Sequence, residues 1–354
     1  MSKKTVLVLF GGRSNEYEVS LRTAASILQH IDREQFSPLP VGITKDGQWR
    51  LYYGNLEDLQ NDRWQDNSTP AVLSPDRSTG GLITPSGKTL NIDVIFPAMH
   101  GQNCEDGAIQ GLFELCGIPY VGSPIAASAC GFDKILTHII SERYGIPMAK
   151  WVSAYREESF DAVLQRVEKG IGFPCFVKPV NSGSSVGCGK ANDENELKSA
   201  LETAFKEDRC ALVEELVSAQ EVECAVIGNL EPQAPTTGEI VTSGGFYDYN
   251  TKYKTDSAKL LIPANISQES AISVRSFALT IYRALGCRGL SRVDFFVKDD
   301  GTVLFNEINT MPGFTSISMY PKMMVASGLS YPDLITKLIE LAFQQHELKN
   351  SRPE

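Results

Sequence analysis

Apolar runs and amphipathic stretches alternate through the first third of the chain. Residues 5–10 (TVLVLF) predict a buried strand, 19–31 (VSLRTAASILQHI) a helix, 36–43 (FSPLPVGI) a second strand and 92–101 (IDVIFPAMHG) a third. Residues 108–116 (AIQGLFELC) predict a helix with Gly117 as its C-terminal cap. Such alternation implies an α/β unit, a mostly parallel sheet with helices on its faces. The polar stretch 60–90 predicts an exposed connection, and a long helix is expected over about 123–144, ending at Gly145 and Pro147. A unit of α+β character follows: the strand FPCFVKPV, the loop NSGSSVGCG, the helix ENELKSALETAF and the strand CALVEEL. The last third predicts strands near 222–228 and 236–242, a polar loop 244–258, a helix capped by Ser267, a hairpin over 291–309 and a final helix near 331–346. Three domains are expected, at 1–122, 123–216 and 217–354.

Composition narrows the function classes. A chain of 354 residues with 42% hydrophobic and 21% charged residues is of ordinary globular make-up, and its net charge of −10 argues against a nucleic-acid binder. The start, MSKKTVLVLFGG, reads as a buried first strand and not a signal peptide, and no apolar stretch approaches the ~20 residues that cross a bilayer. A cytoplasmic location without membrane contact is expected. The eight cysteines form no C-x-x-C pair and read as reduced structural thiols, and the four histidines lie too far apart for a zinc site.

The hairpin carries the first chemistry. With Asp300-Gly301 as a two-residue turn, paired positions sum to 601, so Asp294 faces Glu307 and Arg292 faces Asn309. All four then share one face, leaving Val293, Phe295, Leu304 and Ile308 for the other. Opposed carboxylates repel, and a hard cation between them reverses that term. Asp294, Glu307 and Asn309 are therefore candidate Mg²⁺ ligands, with Arg292 beside them for a developing oxyanion. A solvated surface hairpin is the competing reading.

No P-loop or dinucleotide fingerprint is present. Instead Lys178 ends an apolar strand, and the loop Ser182-Gly183-Ser184-Ser185-Val186-Gly187 offers backbone amides and hydroxyls for phosphate oxygens. Glu214, Glu215 and Glu221 could accept hydrogen bonds from a base or ribose, but by themselves read as plain surface charge.

Taken in order, LFGGRSNEYEVSL, FPAMHGQNCEDGAIQGLFE, GIPYVGS, FDK, FVKPVNSGSSVG, LVEELVSAQEVECAV, FYDYNTKY, SRVDFF and NEINTMPGFTSISMYP resemble the D-alanine–D-alanine ligase family of the ATP-grasp superfamily, over nearly the whole chain. The resemblance implies a three-domain ATP-grasp architecture with an N-terminal parallel-sheet domain, and ATP-dependent joining of two D-alanines for peptidoglycan precursors. It further implies that Lys134, Lys178 and Ser185 contact phosphates, that Glu214 reads adenine and Glu221 the ribose, and that Phe246 flanks the base. Asp294, Glu307 and Asn309 match ligands of two Mg²⁺ ions, with Mn²⁺ as a substitute. Glu16, Ser184 and Tyr253 match a hydrogen-bonded group near the first D-alanine. Lys252 and Ser318 match residues holding the second substrate's carboxylate, His100 lies near that site, and Arg292 and the Gly313 amide match the oxyanion stabilisers. The segment 244–258 is expected to close over the acyl phosphate as a lid, and a homodimer is implied.

Relatives that join D-alanine to D-serine share the fold. Those of the vancomycin-resistance type commonly carry arginine where this chain has Met319, which favours D-alanine as the second substrate, as do Tyr247, Tyr249 and Tyr253. Tyr17, next to Glu16, is closer to the D-serine branch. A non-catalytic nucleotide-binding relative is the other class; the retained Asp294, Glu307, Asn309, Arg292 and both lysines argue against it.

Overall fold

The computed structural model describes residues 3–242, 258–315 and 317–351. The expected lid, with Phe246, Tyr247, Tyr249, Lys252 and Tyr253, lies outside the described residues.

The first strand, Lys4–Gly11, sits between the parallel strands Phe36–Ile43 and Val94–Pro97, as the apolar runs require. Two antiparallel strands, Trp49–Tyr52 and Ser68–Pro70, extend the sheet. The helix Ala108–Cys116 covers one face and ends at Gly117; Tyr17–His30 covers the other. The final helix, Tyr331–Asn350, begins at Ser330, whose hydroxyl accepts from the Asp333 amide, and packs Leu334, Ile335 and Leu338 into the core shared with Val6, Val8 and Phe10.

Residues 60–90 are not the bare connection expected. They contain a small sheet of three strands, Val72–Leu73, Gly81–Ile83 and Thr89–Asn91, and Trp64 is fully buried. Its indole packs edge-on to Phe10 at 5.0 Å and donates to the Tyr17 hydroxyl at 2.8 Å. The polar neighbours of Trp64 hid a side chain whose partners lie some fifty residues upstream.

The expected long helix is two, Ile125–Phe132 and Lys134–Arg143. Asp133 adopts an extended conformation between them and accepts from the Leu136 amide, capping the second helix. A central antiparallel sheet orders Gly189–Ala191, Cys175–Pro179, Cys210–Glu215 and Trp151–Tyr155, with helices Phe160–Gly170 and Glu194–Glu207 against it. The third sheet orders Ala258–Leu261, Thr237–Thr242, Gln220–Ile227, Leu290–Val297 and Val303–Asn309, and the helix Gln268–Leu285 covers one of its faces. All eight cysteines are free. Among the described residues no helix is long and apolar enough to cross a membrane.

Replacing Trp64 by alanine should cost about 3–5 kcal/mol through the cavity left among Phe10, Tyr52 and Tyr17. The check is the urea midpoint; a change within the error of the wild-type curve would mean that the 60–90 segment packs more loosely than described.

Candidate active site

The hairpin departs from the two-residue turn in two ways that cancel. Lys298 and Thr302 close a three-residue loop, with Gly301 at φ +85°, so pairing beside the turn sums to 600 (Phe295 with Phe305, Phe296 with Leu304). A bulge then opens opposite the Asp294/Phe295 step, with Asn306 as the extra residue. Beyond it Asp294 pairs with Glu307 and Arg292 with Asn309, the expected partners. Phe305, and not Leu304, joins Val293, Phe295 and Ile308 in the core under the sheet.

The neighbouring strand adds a carboxylate missed in the sequence. Glu223 pairs with Asp294, so Glu223, Asp294 and Glu307 form a row across three strands. The alternation in QEVECAV was the available signal, since it puts Glu221 and Glu223 on one face. Arg292 Nε and Nη2 donate to the two Asp294 oxygens at 2.8 Å each, and Nε lies 3.0 Å from Glu223 Oε2. Asn309 Nδ2 also donates to Asp294, at 3.0 Å. Burial alone would lower the Arg292 pKa, but the flanking Asp294 and Glu223 outweigh it and hold the pKa well above its ordinary value. Among the described residues no three His, Cys, Asp or Glu side chains close on one metal position. The donors offered are two facing carboxylates plus the Asn309 amide, oxygen chemistry that fits a hard cation. Asp294 must release part of its present hydrogen bonding to take one.

Above this row lies the cleft to the central sheet. Lys134, first in its helix because Asp133 caps it, donates to the Ser182 carbonyl at 2.7 Å and stands 3.8 Å from Glu307. Lys178 Nζ donates to Asn306 Oδ1 at 2.8 Å and pairs with Glu214 at 2.5 Å. Glu214 is therefore no surface charge: it is 3% exposed, and its other oxygen meets His138 Nε2 at 2.9 Å. Burial by itself would raise the Glu214 pKa, yet Lys178 and His138 prevail and hold it at about 2. Asn306 and His138 were not foreseen. The first needs the bulge to face the site, and the second is visible only as the residue one helical turn after Lys134.

Glu16, Ser184, His100, Arg292, Glu307, Asn309, Gly313, Ser318 and Met319 line one cavity of about 110 Å³, joined by Glu105 and Glu223. Ser184 Oγ donates to Glu16 Oε1 at 2.5 Å, tying the glycine-serine loop to the start of the Tyr17–His30 helix. That loop carries Ser184 and Ser185 at φ +53° and +59°, uncommon for residues with a side chain. A Cβ on Gly183 would fall 2.8 Å from Glu16 Oε2, so a larger residue there would push the Glu16 carboxylate aside. His100 contacts the Met311 carbonyl at 3.1 Å and Thr23 at 2.9 Å. Burial works to lower its pKa, but Glu105 and Glu16 raise it overall. The Ser318 hydroxyl accepts from the Thr315 amide at 3.0 Å and shares a 2.7 Å hydrogen bond with its hydroxyl. Met319 is buried and lies against Gly238. Glu221, two residues before Glu223, pairs with Phe296 and Ile240. Tyr17 does not line this cavity: its hydroxyl meets Asp62 at 2.9 Å and Trp64 at 2.8 Å.

Two sheets that close on a cleft, one bringing lysines and a glycine-serine loop and the other a row of acids, define the ATP-grasp class. The sequence profiles of the D-ala D-ala ligase N-terminus and C-terminus match residues 5–123 and 140–340. The D-alanine–D-alanine ligases of Acetivibrio thermocellus and Ruminiclostridium cellulolyticum are each 47% identical, the first over 97% of both chains and the second over 98% of this chain and 97% of its own. Among solved structures, VanG D-Ala:D-Ser ligase from Enterococcus faecalis superimposes with a TM-score of 0.89 at 42% identity, covering 96% of this chain and 100% of its own. The D-alanine-D-alanine ligase from Coxiella burnetii follows with a TM-score of 0.86 at 32% identity, covering 98% and 97%. The chain belongs to the D-alanine–D-alanine ligase family.

The depressed Glu214 pKa has a pH consequence. Its folded value of about 2 lies below the ordinary 4.5, so the stabilisation is fully present above about 4.5 and is lost as pH falls towards 2. Glu214→Gln should destabilise by about 3–5 kcal/mol near neutral pH, because the buried Lys178 loses its counter-charge. The gap between mutant and wild-type melting temperatures should narrow as pH drops from 4.5 towards 2. A gap independent of pH would show that the carboxylate charge is not what stabilises the cluster.

Proposed function

We propose that this protein joins two D-alanine molecules to D-alanyl-D-alanine at the expense of ATP, supplying peptidoglycan precursor synthesis. The observation carrying this reading is the single cavity that brings Glu16 and Ser184 from opposite sides against Arg292, Glu307 and Gly313. The carboxylate of the first D-alanine takes the γ-phosphoryl group of ATP, leaving ADP and an acyl phosphate. The amine of the second attacks the carbonyl; the C–N bond forms, phosphate leaves and the amine sheds a proton. Lys134 and Lys178 offset phosphate charge during transfer. Arg292 and the Gly313 amide face the carbonyl oxygen as it gains charge. The Glu16 carboxylate, held by Ser184, faces the first substrate's ammonium, and the acids around His100 favour its cationic form beside the second substrate's position. Asp294, Glu307 and Asn309 would hold Mg²⁺, which supplies charge neutralisation between phosphate groups. Roles for Ser185, Glu214 and Glu221 at the nucleotide, and for Phe246, Lys252 and Tyr253 from the segment outside the described residues, follow from the family pattern. The division at 122 and 216, a cytoplasmic location and a homodimer belong to the same proposal.

A second reading, D-serine as acceptor, is favoured by the resemblance to VanG. It is opposed at Met319, whose buried thioether gives the cavity an apolar wall suited to a methyl group.

Phosphate release with ATP, Mg²⁺ and D-alanine, with product masses checked, tests the assignment. D-Alanyl-D-alanine is expected, with little mixed product when D-serine is added. Strong release without that dipeptide sinks the main reading, and a dominant D-Ala-D-Ser product selects the second. Arg292→Met should lower kcat on the order of 10²–10³-fold, the scale of losing one oxyanion donor; a smaller change in kcat would remove Arg292 from that role.

A further inference from the structure

Arg292 is held by two acids of different standing. Both Asp294 oxygens accept from it, at 2.8 Å, yet Asp294 is the carboxylate the metal reading needs. Glu223, on the adjacent central strand and directly opposite Asp294, brings Oε2 to 3.0 Å from the same Nε. The row Glu223–Asp294–Glu307 sets three carboxylates side by side; Arg292 and Lys134 pair with it, while Lys178 is taken up by Glu214, so negative charge is left in excess. A divalent cation at Asp294 and Glu307 would relieve that excess, but it would also repel a guanidinium still bound to Asp294.

We infer that Glu223 is the alternate counter-ion of Arg292: when a divalent cation takes Asp294, the guanidinium shifts its hydrogen bonding from Asp294 to Glu223. Glu223 is thus a positioning residue. It acts on the metal through Arg292, and it keeps Arg292 at the cavity wall once Asp294 is withdrawn. The displacement is small, because the second acceptor already lies within hydrogen-bond distance of the nitrogen that must turn. The role also accounts for an acid buried to 6% exposure at a position where a neutral residue would lessen the repulsion along the row. The inference rests on the reading of Asp294, Glu307 and Asn309 as cation ligands.

The test is calorimetric titration of Mg²⁺ into the full chain at saturating ADP, with ADP binding measured separately in EDTA. Glu223→Gln keeps the shape and removes the charge. It should weaken Mg²⁺ binding about 10- to 100-fold, the scale of losing an outer partner of a metal site, and leave metal-free ADP binding unchanged. Glu223→Asp, which keeps the charge, should recover much of the affinity, a rescue that a purely structural role would not give. In an Arg292→Met background, Glu223→Gln should weaken Mg²⁺ binding less than it does in the wild-type chain, because only the direct pull of its charge on the cation is then lost; an equal loss in both backgrounds overturns the inference. Wild-type Mg²⁺ affinity in Glu223→Gln overturns the inference alone. Absence of Mg²⁺ uptake by the wild-type chain with ADP overturns the cation reading and this inference with it.

Discussion

Like charges facing one another across neighbouring strands, which stand about 4.8 Å apart, raise the energy of a sheet. Glu223, Asp294 and Glu307 do so on three consecutive strands, and much of the molecule follows from offsetting them. Arg292 answers from within the row. The remaining cations come from elsewhere: Lys134 reaches Glu307 from the helix after the Asp133 break, and Lys178 reaches the bulged Asn306 from the central sheet. The opposite face is sealed by the apolar layer of the Gln268–Leu285 helix. The charged face can therefore only look into the cleft, and the cleft is where a polyphosphate and a cation would complete the balance.

The hairpin shows how far local pattern reaches. Alternation and a glycine-bearing turn were enough to pair Asp294 with Glu307 and Arg292 with Asn309. The turn is one residue longer than the two-residue form, and the bulge restores the register before the charged pairs begin. Turn length and bulge position are decided by twist and by contacts with other strands, which the local sequence does not encode separately. That is why Leu304 was placed in the core instead of Phe305, and why Asn306 stayed hidden. The bulge has a use: it puts a second polar side chain beside Glu307, where strict alternation would allow one.

The other gaps share a cause. Strands such as Lys4–Gly11, helices such as Ala108–Cys116 and the Ser267 cap were legible because their signals are local. Trp64, Glu214 and Tyr17 were not, because each takes its character from residues distant in sequence. Glu214 seemed a surface acid beside Glu215 until Lys178 and His138 enclosed it. From its sequence setting Tyr17 reads only as closer to the D-serine branch; that its hydroxyl meets Asp62 and Trp64 depends on residues far along the chain. Motif order identified the family, whereas burial and pairing assign each residue its surroundings.

Site precision differs between the two halves of the cavity. Arg292, Asp294, Glu307 and Asn309 stand on paired strands, whose backbone hydrogen bonds leave little room for adjustment. Ser318 holds its place through Thr315, and Met319 starts a helix against Gly238. In the proposed reading, discrimination between a methyl and a hydroxymethyl acceptor rests on one side chain at a helix start, Met319. Under the proposed reading, the charges that serve activation are fixed by strand pairing, whereas Met319 lines the same cavity from a helix start, away from the Arg292–Asp294 pair.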